Sequence, residues 1–448
     1  MSEQVVCDRA PSRRVRDAIA PFGLTIERGV SEARAPEDGA LRALRDLPRD
    51  SIALLTGPSG CGKSTLVRSL RLSLEQGGAD CEMLGPNALA RSGRCVVDLV
   101  DGDLSHAMSC LARAGLGEAR LLARRACDLS EGQRWRLLLA RAMARAESHT
   151  ERWILIDEFC SLLDRETARG VCASVRRWVS SGGPARLVVA SAHEDLAGLL
   201  GADLCVRFDR RGGTTLERGV ETRRAKVRIE AGTIEDYDAL GDLHYRGGRP
   251  ATWTRVLRAV GETDKQERLA GVLVESCPTL NSAWRDLAWP GRYTKGDKRE
   301  RAQRLNRELR CISRVVVDGR WRSMGLARRL VETALATAQT PATEAKAAMG
   351  LLSPFFERAG MRPYREPICS ADARLVDALT HAGIDARDLI VGERADEAAR
   401  DPFVRRELDS WVRASRATRS LAGLAWGQVA RAAGARLAGR GVCYAHVA

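Results

Sequence analysis

The sequence lacks the marks of several protein classes. None of its 13 cysteines stands in a CxxC pair or in a Cys/His cluster with zinc-ligand spacing, and their number is odd. Neither a disulfide framework nor a zinc ribbon is therefore expected, and the thiols read as buried side chains in a reducing cytoplasm. No apolar run approaches the roughly 20 residues that span a bilayer. The start, Met1-Ser2-Glu3-Gln4, has no basic-then-apolar signal pattern. The expectation is a cytoplasmic protein with no integral membrane segment. No internal repeat and no long heptad run is present, which argues against a solenoid or an extended coiled coil.

What is present is length and positive charge. The chain has 448 residues, 44% of them hydrophobic. That is enough for two or three domains, each with its own core. The formal net charge is +14. A surplus of this size favours polyanionic partners such as nucleic acid or an acidic membrane surface. It does not choose between them, or between them and an Arg-rich composition with no polyanion.

Three regions separate by pattern: 1–222, 223–366 and 367–448. In the first, short apolar runs at 51–56 and 153–156 alternate with helical segments, the rhythm of a largely parallel α/β sheet. A polar stretch, Asp209-Arg210-Arg211-Gly212-Gly213 and then Arg223-Arg224, reads as the linker. The second region has strand patterns at 226–229, 271–275 and 311–317. Thr233-Ile234-Glu235-Asp236 reads as a capping box that opens a helix. The third region is Ala/Arg/Leu-rich, mostly helical, and carries no chemical motif.

In the first region, Gly57-Pro58-Ser59-Gly60-Cys61-Gly62-Lys63-Ser64, followed by Thr65, joins a strand to a helix. Such a turn presents backbone N–H groups and a helix N-terminus to phosphates. Lys63 is placed for the β- and γ-phosphates, and Ser64 for Mg²⁺. The apolar run Ile154-Leu155-Ile156 ends in Asp157, suited to the Mg²⁺ shell, and Glu158, suited to polarising a water.

With these residues the region resembles the ABC ATPases. Leu129-Ser130-Glu131-Gly132-Gln133 matches that family's signature, Ser161-Leu162-Leu163-Asp164 its D-loop, and His193 its γ-phosphate-sensing histidine. The resemblance implies ATP and Mg²⁺ as ligands, and catalytic roles for Lys63, Glu158 and His193. It also implies a homodimer in which Ser130, Gly132 and Gln133 of one subunit close on the nucleotide of the other. Two departures stand out. Asp98 falls where transporters carry a coupling glutamine, and Phe22 is the candidate for stacking on adenine, core packing being the alternative.

In the second region, the strand pattern ending at Val317 leads to Arg322-Ser323-Met324-Gly325-Leu326-Ala327 and a helix. This resembles motif A of the GNAT acyltransferases, which grips the pyrophosphate of acetyl-CoA. Phe355-Phe356-Glu357-Arg358-Ala359-Gly360-Met361 resembles the later GNAT helix and turn. Phe356 stands where that family often has its acid tyrosine, with Tyr364 as a fallback. Glu344, His244 and Tyr245 are the candidate acid/base groups, helix-end packing being the alternative for the latter two.

Between 275 and 311 lies a long insertion with Trp284, Trp289 and Tyr293, followed by Lys295, Lys298, Arg299, Arg301, Arg304, Arg307 and Arg310. These read equally as a base-stacking, phosphate-neutralising surface or as a solvated helix whose aromatics are packed. The expected architecture is α/β: an N-terminal ABC-type P-loop ATPase domain, a GNAT-like α/β domain and a helical C-terminal extension. It resembles ABC-type ATPases fused to a predicted acetyltransferase domain and, more loosely, the phage Mom-type DNA modifiers. The expected function is ATP-driven acyl transfer to a nucleic acid or other macromolecule. The alternatives are a nucleic-acid clamp with a non-catalytic GNAT-like module, and the ATPase subunit of a transporter.

Overall fold

The apolar run before the phosphate loop is a fully buried strand, as a parallel strand covered on both faces must be. A computed structural model describes residues 4–7, 10–22, 25–28, 38–85, 89–148, 152–181, 185–209, 213–222, 226–244, 248–263, 266–322 and 324–447. Of these, 4–7, 22, 27–28, 38, 148, 263 and 266 are described by backbone alone. The chain divides into two units, Met1–Arg224 and Ala225–Ala448.

The first unit begins with a small parallel pair, β1 (Gln4–Cys7) and β2 (Thr25–Arg28). Its main strands are β3 (Ile52–Thr56), β4 (Cys81–Leu84), β5 (Arg152–Ile156), β6 (Ala185–Ser191), β7 (Leu204–Phe208) and β8 (Thr214–Arg218). They lie in the order β4-β5-β6-β3-β7-β8. All the pairs are parallel except β7 with β8. The helix Lys63–Gln76 packs Leu66, Val67 and Leu70 against Leu55, Ala190 and Val206 of the sheet. The polar stretch read as a linker is only partly one. Thr214–Arg218 turns back and pairs with β7 as an edge strand that is exposed along most of its length. Arg210–Gly212, Arg223 and Arg224 lie outside the described residues.

The second unit holds β9 (Val227–Ala231), β10 (Arg255–Thr263), β11 (Gln266–Ser276), β12 (Leu309–Val317), β13 (Ala342–Ala347), β14 (Arg362–Arg365) and β15 (Val442–Val447). Their order is β9-β10-β11-β12-β13-β15-β14. Every pair is antiparallel except β12 with β13, which are parallel. The capping box at Thr233 forms as read: Asp236 Oδ2 accepts from the Thr233 N–H at 2.8 Å and opens the helix Ile234–Leu240.

The segment 367–448 is not helical to its end. Its helices build their own core, with Leu375, Leu389, Leu408, Trp411 and Val429 buried together. Trp411 Nε1 donates to the buried Asp372 at 2.8 Å. The chain then re-enters the sheet as β15, between β13 and β14. The last residues before 448 are therefore a central strand of the second unit's sheet, not an appendage.

Candidate functional site

In the first unit, the strand register brings the expected residues to one edge. Thr56 is level with Ser191, Leu55 with Ala190, and Ile156 with Val189. One further residue along β5 puts Asp157 level with Ala190, and the Phe159 N–H continues the ladder to the Ala190 carbonyl at 2.8 Å. The phosphate loop, the acidic pair and His193 thus leave three neighbouring strands at their carboxyl ends, the usual ligand edge of such a sheet. β6 lies between β3 and β5. The two strands are therefore about 10 Å apart, room for the Ser64 hydroxyl, an ion and the Asp157 carboxylate.

The loop is built on backbone that only glycine adopts freely. Gly57, Gly60 and Gly62 have φ of +144°, +78° and +107°. A Cβ on Gly57 would also stand 2.6 Å from the Phe208 carbonyl oxygen. Lys63 Nζ donates to the Gly57 and Pro58 carbonyls at 2.8 and 2.7 Å, which sets its ammonium in the mouth of the loop. Pro58, Ser59, Cys61, Ser64 and Thr65 complete the turn and the first helical positions, with Ser64 half-buried. Amides, an ammonium and a hydroxyl beside a carboxylate form the donor set that a Mg²⁺-bound triphosphate needs.

Glu158 is exposed and has φ +56°, uncommon for a residue with a side chain. Its turn is closed by Ser161, whose N–H and hydroxyl donate to the Glu158 carbonyl at 3.1 and 2.8 Å. Cys160 is left-handed as well, at φ +59°. The strain sits at and beside Glu158, the residue expected to polarise the attacking water, where such costs are commonly retained. His193 follows β6, half-buried, with its N–H on Ser191 Oγ at 3.3 Å.

Ser130 and Gln133 form a reciprocal capping box at the start of the helix Glu131–Ser148. Gln133 Oε1 accepts from Ser130 N–H at 3.0 Å, and Ser130 Oγ from Gln133 N–H at 3.3 Å. Gly132 abuts the expected D-loop: a Cβ there would lie 2.9 Å from Leu163 Cδ2 and 3.4 Å from the Leu162 carbonyl oxygen. The helix start therefore lies beside the loop that follows β5. Phe208, against Gly57, is a site neighbour with no sequence motif to announce it. Asp98 lies in a short helical turn, Val97–Leu99, where the Arg94 guanidinium bonds its carbonyl. The side chain of Phe22 lies outside the description.

In the second unit, β12 and β13 pair only across Leu309–Ile312 and Ala342–Ala345. Beyond that, β12 runs on to Val317 beside β11, and β13 runs on to Ala347 beside β15. The strands part toward their carboxyl ends, and from Ser313 onward β12 has, among the described residues, a ladder on one side only. The loop at the end of this gap carries the second expected grip. Gly325, at φ +77°, caps the helix Leu326–Ala336. Met324 and Leu326 turn their side chains into the core, so backbone is what faces outward. Arg322 Nε donates to the Val317 carbonyl at 3.2 Å. Ala327 is half-buried in the first turn, and Ser323 lies outside the described residues.

The acid/base assignment of Glu344 is corrected by its surroundings. Glu344 is 4% exposed, and Arg285, 2% exposed, holds both its oxygens at 2.6 and 2.7 Å. A carboxylate fully engaged by a buried guanidinium locks the insertion to the sheet and is not available as a base. Trp284, Trp289 and Tyr293 are buried in one cluster with Leu305, Leu309 and Ala445. Their rings meet each other at 6.0 and 5.7 Å, so the base-stacking role is withdrawn from all three. Lys295, Lys298, Arg299 and Arg307 remain exposed. Phe356 is buried and stacks on Tyr444, ring centroids 5.1 Å apart. The Tyr444 hydroxyl lies 3.2 Å from Glu357 Oε1 and 3.3 Å from the Gly350 carbonyl oxygen. Burial pushes that phenol well above its ordinary range. Tyr364 packs on Trp284 at 6.0 Å, His244 is half-buried at the end of a helical turn, and Tyr245 lies outside the described residues.

No helix among the described residues is long and apolar enough to cross a membrane. No protein-family model matches the chain, and no curated protein matches it. Solved structures do. The ATP-binding cassette MJ0796, in a dimeric post-hydrolysis state bound to ADP and Pi, is 18% identical with a TM-score of 0.31, over 39% of this chain and 87% of that one. The cassette MJ1267 of an ABC transporter, in its ADP conformation, is 17% identical with a TM-score of 0.31, over 39% of this chain and 82% of that one. The cbiO1 part of the ABC transporter complex cbiONQ, from Clostridium perfringens, is 16% identical with a TM-score of 0.30, over 39% of this chain and 78% of that one.

Proposed function

We propose that the first unit is an ABC-type ATPase that binds and hydrolyses Mg²⁺-ATP as a homodimer. The observation that carries this is the meeting of the phosphate loop, Asp157, Glu158 and His193 at one edge of adjacent parallel strands. The loop amides and Lys63 hold the phosphates, and Ser64 and Asp157 hold the ion. The bound ion neutralises charge building on the phosphate oxygens. Glu158 orients a water and takes its proton, and His193 senses the γ-phosphate. The start of the helix Glu131–Ser148, beside the loop that follows β5, takes the nucleotide of a second subunit in this reading. ATP hydrolysis by the purified chain, lost in Lys63→Ala, tests the reading.

The second unit is, in this reading, an acyl-CoA-binding domain of GNAT type that transfers its acyl group to a macromolecular acceptor. The parting of β12 from β13 supports it: an extended amide-bearing chain entering the gap can hydrogen-bond to the free side of β12 as a strand would. The backbone loop before Leu326 is then positioned for the pyrophosphate. Glu344 takes no part in proton transfer. The exposed basic residues at 295–307 favour a polyanionic acceptor such as nucleic acid. Calorimetric titration with acetyl-CoA tests this half, and Gly325→Glu should abolish the binding.

A further inference from the structure

Away from the phosphate loop, the first unit gathers three side chains of a different chemistry. His106 and Cys110 stand one turn apart on the helix Leu104–Arg113, on the same face. Glu147 comes from the last turn of the helix Glu131–Ser148. One ligand atom from each lies within 4.8 Å of the other two. Cys110 Sγ is 3.8 Å from His106 Nε2, and His106 Nδ1 is 3.4 Å from Glu147 Oε2.

The surroundings hold these groups in place. Asp103 Oδ1 accepts from the His106 N–H at 2.8 Å and caps the helix. Gly102, at φ +100°, lies so close to the imidazole that a Cβ would meet its Cδ2 at 2.5 Å. Glu147 Oε1 accepts from Trp178 Nε1 at 3.0 Å and pairs with Arg113, which turns Oε2 toward His106. Outer partners that orient a carboxylate in this way are typical of metal ligands.

Two arrangements fit three such groups. The order sulfur, imidazole, carboxylate is that of a relay that activates a thiol. Cys110 is fully buried, and burial with the nearby Glu147 pushes its thiol up to about 12. A thiol with neither exposure nor thiolate character is a poor nucleophile. A metal ion removes both objections, because it needs no substrate access to sulfur and displaces the thiol proton itself. Tetrahedral zinc with ligands at about 2.0–2.3 Å sets neighbouring ligand atoms about 3.3–3.6 Å apart. One nitrogen of the imidazole, one carboxylate oxygen of Glu147 and the sulfur of Cys110 lie within 4.8 Å of one another, so a modest closing of the side chains brings them to that spacing.

We propose that His106, Cys110 and Glu147 form a binding site for a divalent transition-metal ion, zinc by its mixed nitrogen, sulfur and oxygen donors. Such a set does not suit Mg²⁺ or Ca²⁺, which favour oxygen alone. Binding replaces the S–H bond of Cys110 with a sulfur–metal bond and releases one proton to solvent. The fourth position opens to water on the side where His106 and Glu147 are each 27% exposed. The ion ties the helix Leu104–Arg113 to the far end of the helix that Ser130 caps.

The test uses the full chain stripped of metal by chelator, without nucleotide, and Co²⁺ as the probe. The expected result is a tetrahedral Co²⁺ spectrum with a thiolate charge-transfer band that zinc abolishes. Cys110→Ser should remove the band, which separates this thiol from the other cysteines. His106→Asn should weaken zinc binding by about tenfold or more, the scale for loss of groups that hold a metal. Zinc should raise the unfolding temperature of the wild type and not of Cys110→Ser. His106 is partly exposed, so its variant serves if the cysteine variant fails to fold. Absence of the band in the wild type, or the same band and affinity in both variants, overturns the site.

Discussion

Replacing Arg285 with methionine isolates the ion pair that corrects the reading of Glu344. The substitution keeps most of the side-chain volume and removes the guanidinium that holds Glu344 at 2.6 and 2.7 Å. Both partners are almost fully buried, so the carboxylate is left in a site that water does not fill. Breaking a buried pair from one side costs about 3–5 kcal/mol. For a unit of this size about 1 kcal/mol moves the midpoint by about 2–4 °C, so the transition should fall by about 6–20 °C. The double variant Arg285→Met, Glu344→Leu removes the stranded charge and should recover most of the loss. Part remains, because Arg285 also serves the carbonyls of Thr279 and Leu280. Calorimetry of the full chain measures all three proteins. A fall equivalent to less than about 1 kcal/mol in the single variant, or a double variant no better than the single, would refute the reasoning. Glu344→Gln that kept the native midpoint yet abolished acyl transfer would restore the carboxylate as a base.

Gly57→Ala places a Cβ 2.6 Å from the Phe208 carbonyl at φ +144°. It should cost about 1–3 kcal/mol and abolish binding of a fluorescent ATP analogue. Ser130→Ala removes one half of a capping box and should cost about 1 kcal/mol. Its ATPase rate should fall further than a matched loss of stability explains. Gly325→Glu should abolish acetyl-CoA binding in a calorimetric titration while ATP hydrolysis persists, and unchanged binding would remove the pyrophosphate grip.

Local motifs were readable because their chemistry fixes their spacing. The loop 57–64 needs glycine where φ is positive, and Asp157 and Glu158 must follow an apolar strand. Gly57, Gly60 and Gly62 do take positive φ, and the apolar run before Asp157 is a strand. Within the signature-like string Leu129–Gln133, Ser130 and Gln133 form a capping box, a structural demand that the same residues meet. Contacts between distant segments were not readable. Nothing in 442–447 announces that it pairs with β13 and β14 across a helical stretch of its own core. Arg285 and Glu344 are 59 residues apart, and no spacing rule joins them. The tryptophans of the insertion, followed by basic residues, read as either a stacking surface or packed rings, and burial of the large rings decides for packing. The His106, Cys110 and Glu147 cluster escaped because its third member comes from another helix.

In the proposed function, Glu158 serves hydrolysis at a nucleotide held between two copies of the first unit. The direct measurement is ATP turnover by Glu158→Gln together with its mass in solution with and without Mg²⁺-ATP. The expected result is near-complete loss of turnover and a stable ATP-bound dimer. Turnover at the wild-type rate, or a variant that remains monomeric when saturated with ATP, would contradict it.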